Sequence, residues 1–265
     1  MPFPQVERVL YKKNQLDQVI CQLRFSPILK IDAEIPADFQ DRVRSSFPNF
    51  SQEAIIFEKT PPLKGDVSFQ AISEIFRSSD FQLKNYVFSS EDAEWKINLT
   101  RTFVALTAMS YTRWEDFRET LEIPLQALVD QYKPDNFSRV GLRYIDIIRR
   151  SRLGLADVGW DQLIQPYVLG ILGVGEIGST VGSFENKYEI ALSDGESIVR
   201  IITKFVKAQD ENEICYSIDC DFFNSKKAGI EETTEKLDYF NVRASRLFQW
   251  CITERLHNAM EPTVL

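Results

Sequence analysis

Residues 140–147 read Val140-Gly141-Leu142-Arg143-Tyr144-Ile145-Asp146-Ile147, in which Val140, Leu142 and Tyr144 take alternate places. A period of two in a run rich in β-branched and aromatic side chains marks a strand with one buried face. Similar residue types stand much earlier, in Val19-Ile20-Cys21-Gln22-Leu23-Arg24-Phe25, where Leu23-Arg24-Phe25 matches Leu142-Arg143-Tyr144. Two such strands so far apart point to a repeated unit, and the chain between and after them is read on that basis.

After the first strand come Pro27 and a short helix expected over Pro36–Phe47, with Pro36 in its first turn and Asp38 and Asp41 near the positive end of its dipole. Strand-like runs follow at Ala54–Lys59, Val67–Phe76, Phe81–Phe88, Glu94–Arg101 and Thr102–Tyr111. Among them Trp95, Ile97 and Leu99 alternate with Glu94, Lys96 and Asn98, and Ser89-Ser90-Glu91-Asp92 suits a hairpin connection. Trp114, Phe117, Leu121, Leu125, Leu128, Val129 and Tyr132 then recur at helical spacing, with Pro124 as an expected kink and Pro134 as the exit.

The second strand opens the same order again. It ends in Arg149, Arg150 and Arg152, and a helix with Pro166 inside it is expected from Trp160 to Leu172. Strands are expected at Phe184–Leu192, Ser197–Lys207 and Glu213–Phe223, the first two joined through Asp194-Gly195, a strong short-range hairpin signal. A final helix is expected from Ile230 to Met260, its apolar stripe running through Leu237, Phe240, Ala244, Leu247, Phe248, Cys251, Ile252 and Leu256. Each half, 1–134 and 135–265, therefore reads strand, helix, antiparallel meander, long helix. The expectation is an α+β fold, with helices packed on one face of antiparallel sheets and the halves packed as one unit. That order resembles the TATA-binding-protein fold or a helix-grip domain.

Composition narrows the function. The 265 residues carry 31 Lys and Arg against 39 Asp and Glu, a formal charge of -8, which disfavours binding by neutralisation of many nucleic-acid phosphates. No apolar run approaches the roughly 20 residues of a membrane span, and the N-terminal residues lack the order of a signal peptide, so a cytoplasmic protein is expected. Cys21, Cys215, Cys220 and Cys251 are scattered through apolar segments without a C-x-x-C pair, as buried reduced thiols would be. A single histidine, His257, leaves little room for a Ser-His-Asp triad or a histidine metal site. It is expected at a helix C-terminus, where the dipole favours a cation. No cofactor is implied.

Gly173-Val174-Gly175-Glu176-Ile177-Gly178 matches G-x-G-x-x-G, with Asp194 near the distance of a ribose-binding acid. A dinucleotide site needs a strand before those glycines and a helix after them. Ser179-Thr180-Val181-Gly182 is a poor helix former, so a flexible glycine-rich loop is expected and Asp194 is assigned to the hairpin. Arg24 and Arg143 fall on the sheet face opposite their strands' apolar rows, and Asp219 and Asp221 oppose Ile218, Cys220 and Phe222. If these strands are neighbours, Arg143 pairs with one of the acids, or both arginines face a small anionic ligand. The cluster at Arg149–Arg152 is expected to be a solvated strand end. Glu231-Glu232 and Glu211/Glu213 are expected in helix-start or loop positions.

Leu16-Asp17-Gln18-Val19-Ile20-Cys21-Gln22-Leu23-Arg24-Phe25 with Pro27, Tyr111-Thr112-Arg113-Trp114-Glu115-Asp116-Phe117, Gly141-Leu142-Arg143-Tyr144-Ile145 and Ile252-Thr253-Glu254-Arg255-Leu256 together resemble a sporadically distributed bacterial family of uncharacterised proteins with "VIxxLRF-P", "YxxWxxF" and "GLRYIN" segments. Asp146 stands where that family has Asn. The resemblance implies one full-length unit and an accessory or defence locus. Taken together, these readings favour a non-enzymatic module that recognises a protein partner, a second copy of the chain or a small ligand. The alternative is a nucleotide- or anion-binding module or enzyme using residues 173–178 or Arg24, Arg143, Asp219 and Asp221.

Overall fold

A computed structural model of the chain describes residues 3–54, 84–207 and 213–264. Residues 55–59 of the first expected meander strand, all of Val67–Phe76, residues 81–83 and Glu211 lie outside the described residues.

The strands are β1 (Val9–Tyr11), β2 (Leu16–Phe25), β3 (Asn49–Ala54), β4 (Lys84–Ser89), β5 (Trp95–Thr100), β6 (Phe103–Ala108), β7 (Phe137–Ile148), β8 (Glu185–Ala191), β9 (Ser197–Lys207), β10 (Ile214–Asn224) and β11 (Pro262–Val264). Nine of them form one antiparallel sheet in the order β3-β4-β5-β6-β2-β7-β10-β9-β8, and the chain is α+β. The two strands that open the halves lie side by side at its middle, with Cys21 opposite Leu142 and Val19 opposite Tyr144. Each is flanked on its outer side by the last strand of its own meander, β2 by β6 and β7 by β10.

Alternation sorts the side chains as the sequence predicts. Val19, Cys21 and Leu23 of β2, Val140 and Leu142 of β7, and Ile218 and Phe222 of β10 are buried in one hydrophobic cluster. Phe117, Leu121 and Leu128 of helix α3 (Trp114–Tyr132) and Leu237, Phe240 and Leu247 of helix α6 (Ile230–Cys251) belong to the same cluster. The helical stripes and the inward row of the sheet thus share one core, the main stabilising term for a chain of this size. Helix α3 runs through Pro124, which is buried, and ends at Lys133 in the left-handed region (φ 47°) just ahead of Pro134. Glu231 and Glu232 lie in the first turn of α6, and Trp114 Nε1 donates to Asp238 of α6 at 2.7 Å, tying the two long helices together.

Three expected helices differ in extent. Before β3 the chain forms a one-turn helix, α1 (Lys30–Ala33), and then α2 (Ala37–Val43) rather than a helix reaching Phe47. The expected helix Trp160–Leu172 is a 3-10 turn (Trp160–Gln162), helix α4 (Pro166–Leu169) and a second 3-10 turn (Gly170–Gly173). Pro166 has no N–H to continue a helix and disfavours helical backbone at Gln165, which is extended (φ -63°, ψ 141°), so the proline starts a helix here instead of interrupting one. The last expected helix is two. Ile252 is extended and bridges to Ile164, and Thr253 then caps helix α7 (Glu254–Ala259) by accepting from the Leu256 N–H. Beyond α7, β11 returns to pair antiparallel with β1, setting Leu10 opposite Thr263.

Candidate functional site

The sheet face opposite the core carries the four residues singled out from sequence. Because β7 and β10 are neighbours, the Arg143 Nε–H donates to Asp219 Oδ1 at 2.7 Å and its Nη2 to Oδ2 at 2.5 Å, a bidentate pair. Asp219 raises the pKa of Arg143 by this bond. Asp221 is held by a residue that the sequence did not single out: Arg139 Nη2 donates to both its oxygens, at 2.9 and 2.8 Å. The Arg139 side chain crosses Gly141, where any Cβ would collide with its guanidinium. Gly141 is therefore explained by the passage of Arg139 across the strand. Arg139 and Arg200 both lie over the Phe223 ring, with Cζ 4.8 and 5.6 Å from its centroid. Arg24 differs from the other arginines. Its Nε–H donates to Gln22 Oε1 at 2.9 Å, an oxygen that also accepts from Arg139, and it makes no ion pair with any described residue. Burial lowers its pKa, and neighbouring Arg139 adds to the shift.

The glycine motif has a helical setting rather than that of a loop. Helix α4 and a 3-10 turn precede it, and helix α5 (Gly175–Thr180) occupies its second half. No strand leads into the glycines, and a Cβ on Gly178 would collide with the Leu172 carbonyl oxygen, so close packing accounts for that glycine. Tyr167, Ile171, Val174 and Ile177 on this stretch are each more than half exposed. Asp194 serves the hairpin: its carboxylate accepts from the N–H groups of Glu196 and Ser197 and from Ser197 Oγ. The basic cluster is a solvated end only in part, Ser151 and Arg152 being exposed. Arg149 donates to Asp17 at 3.0 Å, Arg150 donates to the Val158 carbonyl and lies over Trp160, and Ser151 donates to Glu213. His257, in the last turn of α7, has Nδ1 2.8 Å from the Tyr11 hydroxyl. All four cysteines are buried. Among the described residues no cluster of three or more His, Cys, Asp or Glu could hold a metal, and no helix is long and apolar enough to cross a membrane.

The most distinctive chemistry lies on the other side of the sheet. A cavity of about 120 Å³ opens between β1, the start of β2, the segment leading into α3, strand β7 and helix α6. Tyr11, Tyr111, Tyr144 and Phe248 bring aromatic rings to it, and Asp146 lines it from β7. The rings brace one another: Tyr111 meets Tyr144 edge-on at 6.0 Å, Tyr11 meets Phe248 edge-on at 5.9 Å, and the Tyr144 hydroxyl donates to Asn241 Oδ1. Asp146 is 7% exposed, and its carboxyl forms no hydrogen bond or ion pair with any described residue. Burial raises its carboxyl to about 8, and the charges of Asp219 and Asp17 add to the shift. Burial likewise raises Tyr11, with a further contribution from Asp146. Toward solvent the cavity is rimmed by Arg8 and Arg113, paired with Glu115 and Asp116.

The sequence reading did not select Asp146 as a site residue, although the signal was present. Counting in twos from Val140, Leu142 and Tyr144 places an acid on the buried row of β7, where every other side chain from Val140 to Ile148 is apolar. What could not be counted is the pairing of β1 with β11, which fixes the strand that brings Val9, Leu10 and Tyr11 to the cavity wall. Compared with known proteins, the chain matches no family model and no curated protein.

Proposed function

We propose that the chain is a non-enzymatic binding module that holds a small ligand in the cavity beside Asp146. The supporting observation is a largely buried carboxyl that has no partner among the described residues and lines the cavity, where a ligand can supply the interactions it lacks. Here the unsatisfied group faces an aromatic cavity, the setting of most small-molecule sites. We read the fold as an internal duplication of the saddle or helix-grip kind. The matched places of β2 and β7, each flanked by the last strand of its own meander, support this, as does the recurrence of a long helix after each meander. The resemblance to the sporadically distributed bacterial family fits one such unit in an accessory or defence locus.

A fragment screen spanning cationic, neutral and anionic molecules, read as a rise in melting temperature, tests the site. Fragments that stabilise the protein and lose their effect in Ser245→Leu, which narrows the cavity from α6, support the reading. A screen without a stabilising fragment, or fragments indifferent to Ser245→Leu, overturns it.

A second reading places a small anion on the opposite sheet face at Arg24, because that guanidinium makes no ion pair with any described residue. Fragments whose effect survives Ser245→Leu and disappears in Arg24→Gln would favour it.

A further inference from the structure

The charges around the cavity bear on the class of its ligand. Each arginine near it already has a carboxylate: Arg8 has Glu115, Arg113 has Asp116, Arg149 has Asp17 and Arg143 has Asp219. The Asp146 carboxyl is left without a counter-charge, and Asp17 and Asp219 act on it as further negative charge. An anion entering the cavity would approach an acid with no free cation to receive it. A cation would find a carboxylate and aromatic π-systems within one small space, the combination that recognises ammonium groups. The nearby side-chain oxygens of Asn241, Ser245 and Tyr144 provide acceptors for the N–H groups of an amine.

We propose that this cavity binds a small organic cation, a protonated or quaternary amine, with the Asp146 carboxylate as its counter-charge and the rings of Tyr11, Tyr111, Tyr144 and Phe248 around it. The inference rests on the cavity being the ligand site. Its volume of about 120 Å³ suits a head group of a few heavy atoms. A longer amine would extend past Arg8 and Arg113, where Glu115 and Asp116 keep the rim close to neutral.

Calorimetric titration of the full chain at pH ~9, where the Asp146 carboxyl is ionised, with tetramethylammonium chloride, propylammonium chloride, sodium propionate and propanol tests the class. The expected result is binding of at least one ammonium probe, no binding of propionate, and affinity reduced about tenfold or more in Asp146→Asn. Tyr111→Leu keeps the carboxyl while removing a ring, and it should also weaken the ammonium probe, so the test survives if Asp146→Asn fails to fold. Propionate or propanol binding without either ammonium ion overturns the cation assignment while leaving a ligand site in place. Ammonium binding unchanged in both variants also overturns it. Silence from all four probes, together with an empty fragment screen, overturns the site itself.

Discussion

Arg143 and Asp219 share their ion pair unequally. The arginine side chain is 42% exposed and the aspartate 7%, so removing the arginine strands a buried charge, whereas removing the acid frees a guanidinium that water can reach. Arg143→Ala should therefore cost about 2–3 kcal/mol in chemical denaturation, with solvent screening of the exposed arginine holding it below the ~3–5 kcal/mol of a fully buried pair. Asp219→Asn in the Arg143→Ala background should restore much of that loss. Equal losses in the single and double variants would show that the pair contributes little. Alternation put Arg143 and Asp219 on one face of the sheet, which left a bridge to one of the two acids as one of the readings, conditional on β7 and β10 being neighbours. The partner of Asp221 was not legible, since Arg139 reaches it only by crossing Gly141, a route that depends on three-dimensional register.

At the scale of elements, the strands from β4 to β10 were read well because a period of two survives in any sheet with one buried face, as in Trp95, Ile97 and Leu99, whereas β1, β3 (Asn49–Ala54) and β11 were not expected. The helices were over-extended where the apolar stripe continues through a break in the backbone. Leu247, Cys251, Ile252 and Leu256 are all buried, yet Ile252 leaves the helix to bridge with Ile164. Thr253 fixes that break. Its hydroxyl caps α7 by accepting from the Leu256 N–H and also donates to the Gln162 carbonyl at 2.8 Å. Thr253→Ala should cost about 1–2 kcal/mol, the usual range for a lost N-cap, and Thr253→Ser should recover most of it. An alanine variant as stable as the parent in urea would contradict the assignment of the cap. Because α7 leads into β11, which pairs with β1 at the cavity, this cap also helps to place the wall that carries Tyr11.

Across the whole molecule, β2 pairs with β7 at the middle of the sheet and β1 pairs with β11, so the cavity draws on residues far apart in sequence, from Arg8 to Phe248. Sequence order suggested a repeated strand pattern but not the site, because the pairing of β1 with β11 is a property of the assembled fold. Folding with an unpaired buried acid has a consequence for stability as pH changes. The Asp146 carboxyl, at about 8, lies above the ~3.9 of an aspartate in an unfolded chain. Between those limits the folded state binds the extra proton, so the Asp146 contribution makes stability fall as pH rises, and the decline ends above about pH 8. Asp146→Asn removes this contribution. Relative to the parent, the variant should be close in stability near pH ~4 and more stable by at least ~1 kcal/mol near pH ~9. A difference that does not change with pH would rule out the raised carboxyl. The most direct measurement is an NMR titration of the Asp146 side-chain carboxyl carbon, with and without tetramethylammonium. A midpoint near 8 in the free protein that moves down when the cation is added is the predicted result. A midpoint in the ordinary aspartate range, or one that the cation leaves in place, would contradict Asp146 as the buried counter-charge of a ligand site.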